Sequence, residues 1–223
     1  MSGAPGLAPT RPAADLMARA RAALDSPQVK RGFDAVVAGA GLVATAPVMA
    51  AVAAAVAVES PGGVLFRQER VGLGGRTFRI HKFRTMAAVH DGSLVSATGD
   101  ARVTRVGRVL RASKLDELPQ LLDVLVGDMS LVGPRPEVPV YVAQWPADLR
   151  PVILSVRPGI TDPGSIAFRH EADELAAAQD PQRHYVESIL PRKAALYAAY
   201  VRDRSFVGDL RILLDTVRAV VGR

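Results

Sequence analysis

From Phe33 to Val58 the chain carries a single charged side chain, Asp34. A membrane helix needs about 20 mainly apolar residues, and this run is longer. A helix that is apolar all round goes either into the core of a soluble protein or into lipid, and the many alanines make this one only modestly hydrophobic. Its length favours lipid. Basic residues lie on both sides: Arg11, Arg19, Arg21, Lys30 and Arg31 before the run, and Arg67, Arg70, Arg76, Arg79, Lys82 and Arg84 after it. The positive-inside rule therefore selects neither orientation of a straight span. Pro47, near the middle, removes a helix hydrogen bond, and Thr45 can satisfy a freed carbonyl. A helix bent at Pro47 that enters and leaves by one leaflet keeps both basic flanks on one face; a tilted span is the other solution. Residues 1–29 are rich in Ala and Pro, with a short amphipathic stretch at Asp15 to Leu24 and no secretory-signal layout, and are expected to be loosely held. The expected organisation is a flexible segment over 1–29, a membrane helix over 30–59, and one domain over 60–223 that is long enough to bury a core.

Beyond the breaker cluster Ser60-Pro-Gly-Gly63, Val64 to Arg70 and Thr77 to Thr85 read as strands of a hairpin around Gly72-Leu-Gly-Gly75. The glycines make a turn; no Gly-Lys-Ser/Thr ending marks a phosphate loop. Alternation sets Lys82 and Arg84 on one face with Phe78 and Ile80, a cationic end to an apolar face. Residues 87–101 form a polar loop, and His81 and His90, neither with the spacing of a metal ligand, read as ordinary polar residues. Val138 to Val142 is a short strand or a helix start. From Glu171 onward the pattern is helical, broken at Asp180-Pro181 and Leu190-Pro191. The last helix starts at Ser205. It lines Phe206, Leu210, Leu213 and Val217 on one face with Arg202, Arg204, Arg211, Arg218 and Arg223 around it, suited to a core or to an anionic lipid surface.

The chemistry centres on Ser113-Lys-Leu-Asp116-Glu117-Leu-Pro119-Gln120. Asp116 fits the N-cap of a helix with Pro119 in its first turn, and Leu118, Leu121, Leu122 and Leu125 give that helix an apolar face. Its free N–H groups and dipole suit an anion. Neighbouring helical positions diverge by about 100°, so the two carboxylates have separate jobs. Arg102, Arg105, Arg108, Arg111 and Lys114 recur every third residue and bring cations close. Taken alone, a capping aspartate and a solvated basic face would account for all of this. A net charge of +6 calls for an anionic partner, whether nucleic acid, lipid or a phosphorylated substrate. Aromatics at 5% are few for stacking on single strands, and the absence of cysteine excludes disulfide and thiolate chemistry.

Leu115-Asp-Glu-Leu-Pro-Gln120 together with Gly127-Asp-Met-Ser-Leu-Val-Gly-Pro-Arg-Pro136 resembles the bacterial sugar transferase family, the monotopic polyprenyl-phosphate phosphoglycosyl transferases. Phe66-Arg-Gln-Glu-Arg-Val-Gly72, Lys82-Phe-Arg-Thr-Met86 and Arg157-Pro-Gly-Ile-Thr161 follow in the family's order. Two words depart from it. Ala46-Pro47 stands where a Ser-Pro pair is usual, and Asp162-Pro-Gly164 where a Gly-Arg commonly follows. The resemblance implies an α+β, mostly helical small catalytic domain with a β-hairpin, attached to a re-entrant membrane helix bent at Pro47 and to amphipathic interfacial helices. It implies a place on the cytoplasmic face of the bacterial inner membrane. The implied reaction moves a phosphosugar from a nucleotide diphosphate sugar, usually a UDP-sugar, to polyprenyl (undecaprenyl) phosphate, releasing UMP. Asp116 would be the nucleophile, forming an aspartyl phosphosugar, and Glu117 the Mg²⁺ ligand. Lys82, Arg84 and Arg169 would brace phosphates, and Pro134, Arg135 and Pro136 would serve the nucleotide. Anionic lipid is an expected partner, nucleic acid is not, and a homodimer is allowed. The rival reading is a membrane-attached binding module for anionic partners without catalysis, which draws on the basic charge alone.

Overall fold

The computed structural model describes residues 22–87, 95–168 and 170–221. Most of the expected N-terminal segment, His90 and Arg169 lie outside the described residues. The apolar run folds as one helix, α1 (Pro27–Glu59), capped at its start by the Ser26 hydroxyl, which accepts the Val29 N–H. At 1.5 Å per residue it would reach about 50 Å if straight. It is long and apolar enough to cross a membrane, and only 11% of its most apolar stretch is buried.

A continuous inward stripe explains how α1 sits. Asp34, Ala38, Val52 and Val56 are buried, with Leu42, Thr45 and Met49 half-buried between them at helical spacing, while Val36, Val43 and Val58 are more than two-thirds exposed. Its first turns join the central core around Val124, Met129 and Leu131. Its last turns pack Val52 and Val56 on Phe83 and Leu110. Both ends are also tied by polar bonds. Arg31 donates to the carbonyls of Val124 and Leu125 at 2.6 and 2.7 Å, and Glu59 accepts the Val106 N–H at 3.0 Å. One globular body therefore holds the helix at its two ends. Pro47 lies inside the helix, and the Thr45 hydroxyl donates to the Gly41 carbonyl at its own i−4 position and not, as expected, to the Val43 carbonyl that Pro47 frees.

The hairpin forms as β1 (Leu65–Val71) and β2 (Thr77–Phe83), antiparallel with Gln68 opposite Ile80, around a 3₁₀ turn at Leu73–Gly75. After α2 (Arg105–Ser113), a 3₁₀ turn at Leu115–Glu117 leads into α3 (Gln120–Val126). β3 (Ser130–Val132) follows, with α4 (Pro139–Val142), α5 (Arg150–Ile153) and β4 (Gly159–Thr161), which pairs parallel to β3. The stretch left open between strand and helix is thus helical. Gly133 and Gly159 let these backbones meet: a Cβ on Gly159 would lie 2.1 Å from the Gly133 nitrogen.

α6 (Pro163–Ala167), α7 (Glu171–Ala177), α8 (Pro181–His184), α9 (Leu190–Asp203) and α10 (Phe206–Val221) complete the α+β fold. The expected break at Asp180-Pro181 forms, with Asp180 capping α8. The one at Leu190-Pro191 does not. A wide turn at Tyr185–Ile189 runs straight into α9, because Pro191 falls in the first turn, where its missing N–H is tolerated. In α10 the inward face is rotated from the expected one. Asp209 is buried and Ile212, Leu213 and Thr216 are half-buried, while Val217 is 59% exposed. The main core gathers Tyr141, Trp145 and Tyr185 with Tyr197 of α9.

Candidate active site

Lys114 sets the site's geometry. It ends α2 in the left-handed conformation (φ 60°), the one described non-glycine residue with positive φ, and so swings the chain into the turn that bears the two carboxylates. Such backbone strain gathers at functional sites. Asp116 therefore lies inside a 3₁₀ turn and does not cap a helix; α3 proper begins after Pro119. The leucine face also serves a different purpose. Leu122 and Leu125 are exposed at 44% and 39%, while Leu121 reaches Gly41, and Leu125 Gly39, on α1. Small residues on α1 thus let α3 sit closely, and the buried apolar position on α3 itself is Val124.

The two carboxylates have unlike surroundings. Glu117 Oε1 accepts Lys82 Nζ at 2.7 Å and Arg135 Nη2 at 2.8 Å. Burial alone would push Glu117 up, but Arg135, then Lys82 and Lys114, outweigh it and hold its carboxyl well below the usual range. Asp116 is 8% exposed and, among the described residues, its Oδ1 has no hydrogen-bond partner. Burial and then the charge of Glu117 raise its pKa, against the pull of Lys82, Lys114 and Arg135. Lys82 is pushed down by burial, while Glu117 holds Arg135 up. The arrangement is one carboxylate that gathers two cations through a single oxygen beside one with an unpartnered oxygen among the described residues.

Arg111 belongs here too, though its position in the basic repeat gave no sign of it. Its Nε donates to Thr85 and its Nη1 to Ser96, at 2.9 and 2.8 Å, and burial, which lowers its pKa, is countered by the charge of Asp116. Arg84 is not brought to the turn. Its guanidinium donates to the carbonyls of Ser60 and Pro61 and closes the end of α1. Pro134 lines a small cleft with Val71, Trp145 and Leu154, and the Pro136 carbonyl accepts Arg70 at 2.9 Å. Behind it Arg70 stands 3.6 Å from Glu137, whose other oxygen accepts the Tyr185 hydroxyl at 2.6 Å, a buried brace that the sequence did not disclose. Asp162, 1% exposed, is held by Ser165 and adds its charge near Arg135. His81, expected to be an ordinary polar residue, gives both its N–H and Nδ1 to the buried Asp123, at 3.0 and 2.6 Å. That pins β2, and with it Lys82, to α3.

Residues 26–223 match the family model of the bacterial sugar transferases. The chain is 38% identical over 197 residues to a UDP-N-acetylgalactosamine-undecaprenyl-phosphate N-acetylgalactosaminephosphotransferase of Aeromonas hydrophila, covering 86% of this chain and 44% of that protein. It is 39% identical over 205 residues to a UDP-glucose:undecaprenyl-phosphate glucose-1-phosphate transferase of Caulobacter vibrioides, covering 86% and 69%. With the uncharacterized sugar transferase EpsL of Bacillus subtilis it shares 35% over 193 residues, 86% of this chain and 87% of that one. The chain spans less than half of the Aeromonas protein's length.

Proposed function

The chain belongs to the bacterial sugar transferase family, and from that premise we propose that it transfers a phosphosugar from a UDP-sugar to membrane undecaprenyl phosphate. The observation that carries this reading is the contrast within Asp116–Glu117: a buried carboxylate oxygen without a partner among the described residues beside a carboxylate that gathers Lys82 and Arg135. An Asp116 oxygen attacks the β-phosphorus of the donor, the bond from that phosphorus to the bridging oxygen breaks, and UMP leaves with the electron pair. A phosphate oxygen of the polyprenyl phosphate then attacks the same phosphorus, giving the polyprenyl diphosphosugar and returning Asp116 as carboxylate. Lys82, Arg135 and Arg111 supply positive charge around the transferring group, where positioning and electrostatics carry phosphoryl transfer. Arg135, on the stiff Pro134-Arg135-Pro136 turn, meets the nucleotide.

Magnesium fits this site only together with a substrate. Among the described residues no group of three or more His, Cys, Asp or Glu could hold a metal. Mg²⁺ is commonly bound by one or two carboxylates completed by substrate phosphates and water, and Glu117 with the free Asp116 Oδ1 offers that much. When bound, the ion would neutralise charge on the diphosphate.

The seating of α1 supports a re-entrant helix on the cytoplasmic face. A straight span would carry one end across the bilayer, whereas the globular domain grips the turns at both Arg31 and Glu59. Both basic flanks then share one face, as the positive-inside rule asks. The exposed Leu214 and Val217 of α10, with Arg211 and Arg218, suit contact with anionic lipid.

The test is UMP release by protein held in nanodiscs across a panel of UDP-sugars that includes UDP-glucose and UDP-N-acetylgalactosamine, with Mg²⁺, with and without undecaprenyl phosphate. Acceptor-dependent release from one donor, lost in Asp116→Ala, is expected. Silence across the panel from folded protein would return the reading to an anion-binding membrane module.

A further inference from the structure

Asp34, the lone charge of the apolar run, is 3% exposed. Apolar packing alone would seat a hydrophobic helix, and a carboxylate buried there needs polar partners. It finds them on β3: Oδ2 accepts the Ser130 hydroxyl at 2.7 Å, and Oδ1 faces the Leu131 N–H at 3.4 Å. Among the described residues β3 is paired with β4 along one edge only, so the Leu131 N–H, which β4 does not take, would otherwise be left open. Lys30, one turn earlier, lies 3.8 Å from Asp34 and donates to Asp209 at 2.6 Å. Three residues beyond β3 comes Arg135, bonded to Glu117. On the same foot of α1, Arg31 holds the last carbonyls of α3, whose other end continues from the Asp116–Glu117 turn. The base of the membrane helix therefore grips both elements that carry the site.

We propose that Asp34 is a positioning residue for Arg135. By holding Ser130 and Leu131 it fixes β3 against α1, and so fixes the spacing between the Arg135 guanidinium and the carboxylate turn. The assignment rests on the reading of Arg135 as the group that meets the donor nucleotide.

The experiment compares kcat and KM for the donor that the wild type turns over, in nanodiscs, for Asp34→Ala, Asp34→Asn, Arg135→Ala and the Asp34→Ala/Arg135→Ala double variant. Residues acting through one another give non-additive effects. Asp34→Ala should raise the donor KM about tenfold with kcat changed no more than about threefold, and should add less than about twofold once Arg135 is gone. Asp34→Asn, whose amide oxygen keeps the Leu131 N–H while its NH2 donates to a Ser130 hydroxyl turned to the Val132 carbonyl, should recover most of the loss. Equal factors in both backgrounds, or a loss confined to kcat, would overturn the proposal. Should Asp34→Ala fail to fold, Ser130→Ala removes the same bond from the strand side and is expected to show the same KM and the same coupling. A wild type silent with every donor would defeat the transferase reading while leaving this inference testable by amide exchange. Faster exchange at Leu131, Val132, Gly133 and Arg135 in Asp34→Ala, and not in Asp34→Asn, would sustain it; unchanged exchange would refute it.

Discussion

Replacing Asp116 by Asn should destroy turnover and strengthen the fold at the same time. The carboxylate is 8% exposed, and one oxygen is buried without a partner among the described residues. An unsatisfied buried polar group costs about 1–3 kcal/mol, and more when charged. Lys82, Lys114 and Arg135 return part of that through their charge, while Glu117 adds to the penalty. We place the net gain from neutralising the side chain at about 1 kcal/mol, because no cation bonds the free oxygen directly. For a chain of this size that raises Tm by about 2–4 °C. The linkage sign agrees. A carboxyl whose folded pKa is raised contributes stability that is complete below its unfolded pKa and lost as pH rises through the folded value, so near neutrality Asp116 is a burden that Asn lifts. Thermal unfolding in detergent at neutral and mildly acidic pH is the assay, run beside UMP release. The variant's advantage should be larger at the higher pH. An Asn variant that is inactive and also less stable at both pH values would refute the idea of a carboxylate kept uncompensated for attack.

Glu117→Gln should act oppositely on stability, leaving Lys82 and Arg135 without their counter-charge; it should lower Tm by roughly 4–8 °C, about 2 kcal/mol after discounting for the partial exposure of both cations, and reduce turnover at least about a hundredfold. Its depressed carboxyl contributes stability above the ordinary glutamate range that is lost as pH falls toward its folded pKa, so the wild type should weaken in acid where Glu117→Gln shows a flatter profile. Turnover should fall on the acid side through the raised pKa of Asp116, at higher pH than an ordinary aspartate would give, and a pH profile of kcat/KM checks this. Gly159→Ala should cost about 3 kcal/mol or more, because the new methyl would lie 2.1 Å from the Gly133 nitrogen, and a denaturant titration would measure it.

Much of this molecule is legible in local patterns. The hairpin and the apolar helix each follow from residues close in sequence, and the strands appear within two residues of where alternation sets them, whereas the carboxylate pair reads as the start of a helix and the chain makes a 3₁₀ turn there. What stays hidden depends on distant packing. Alternation pairs Lys82 with Arg84, yet the path of the chain sends the first to Glu117 and the second to the end of α1. The leucines after Asp116 read as a core face because periodicity shows a face and not its partner; here the partner is α1. Arg111 is one cation in a repeat of five, and only the left-handed Lys114 aims the chain so that this one feels Asp116. Asp34 was conspicuous as a lone charge, but its partner lies 96 residues away on β3.

The most direct test of the covalent mechanism is intact mass spectrometry of the protein incubated with its donor and no acceptor, quenched under conditions that preserve acyl phosphates. A mass increase equal to one phosphosugar, mapped to Asp116, absent from Asp116→Ala and discharged by undecaprenyl phosphate, is the predicted result. Sustained acceptor-dependent turnover with no adduct at any time would contradict it, and would mean that the lipid phosphate attacks the donor directly.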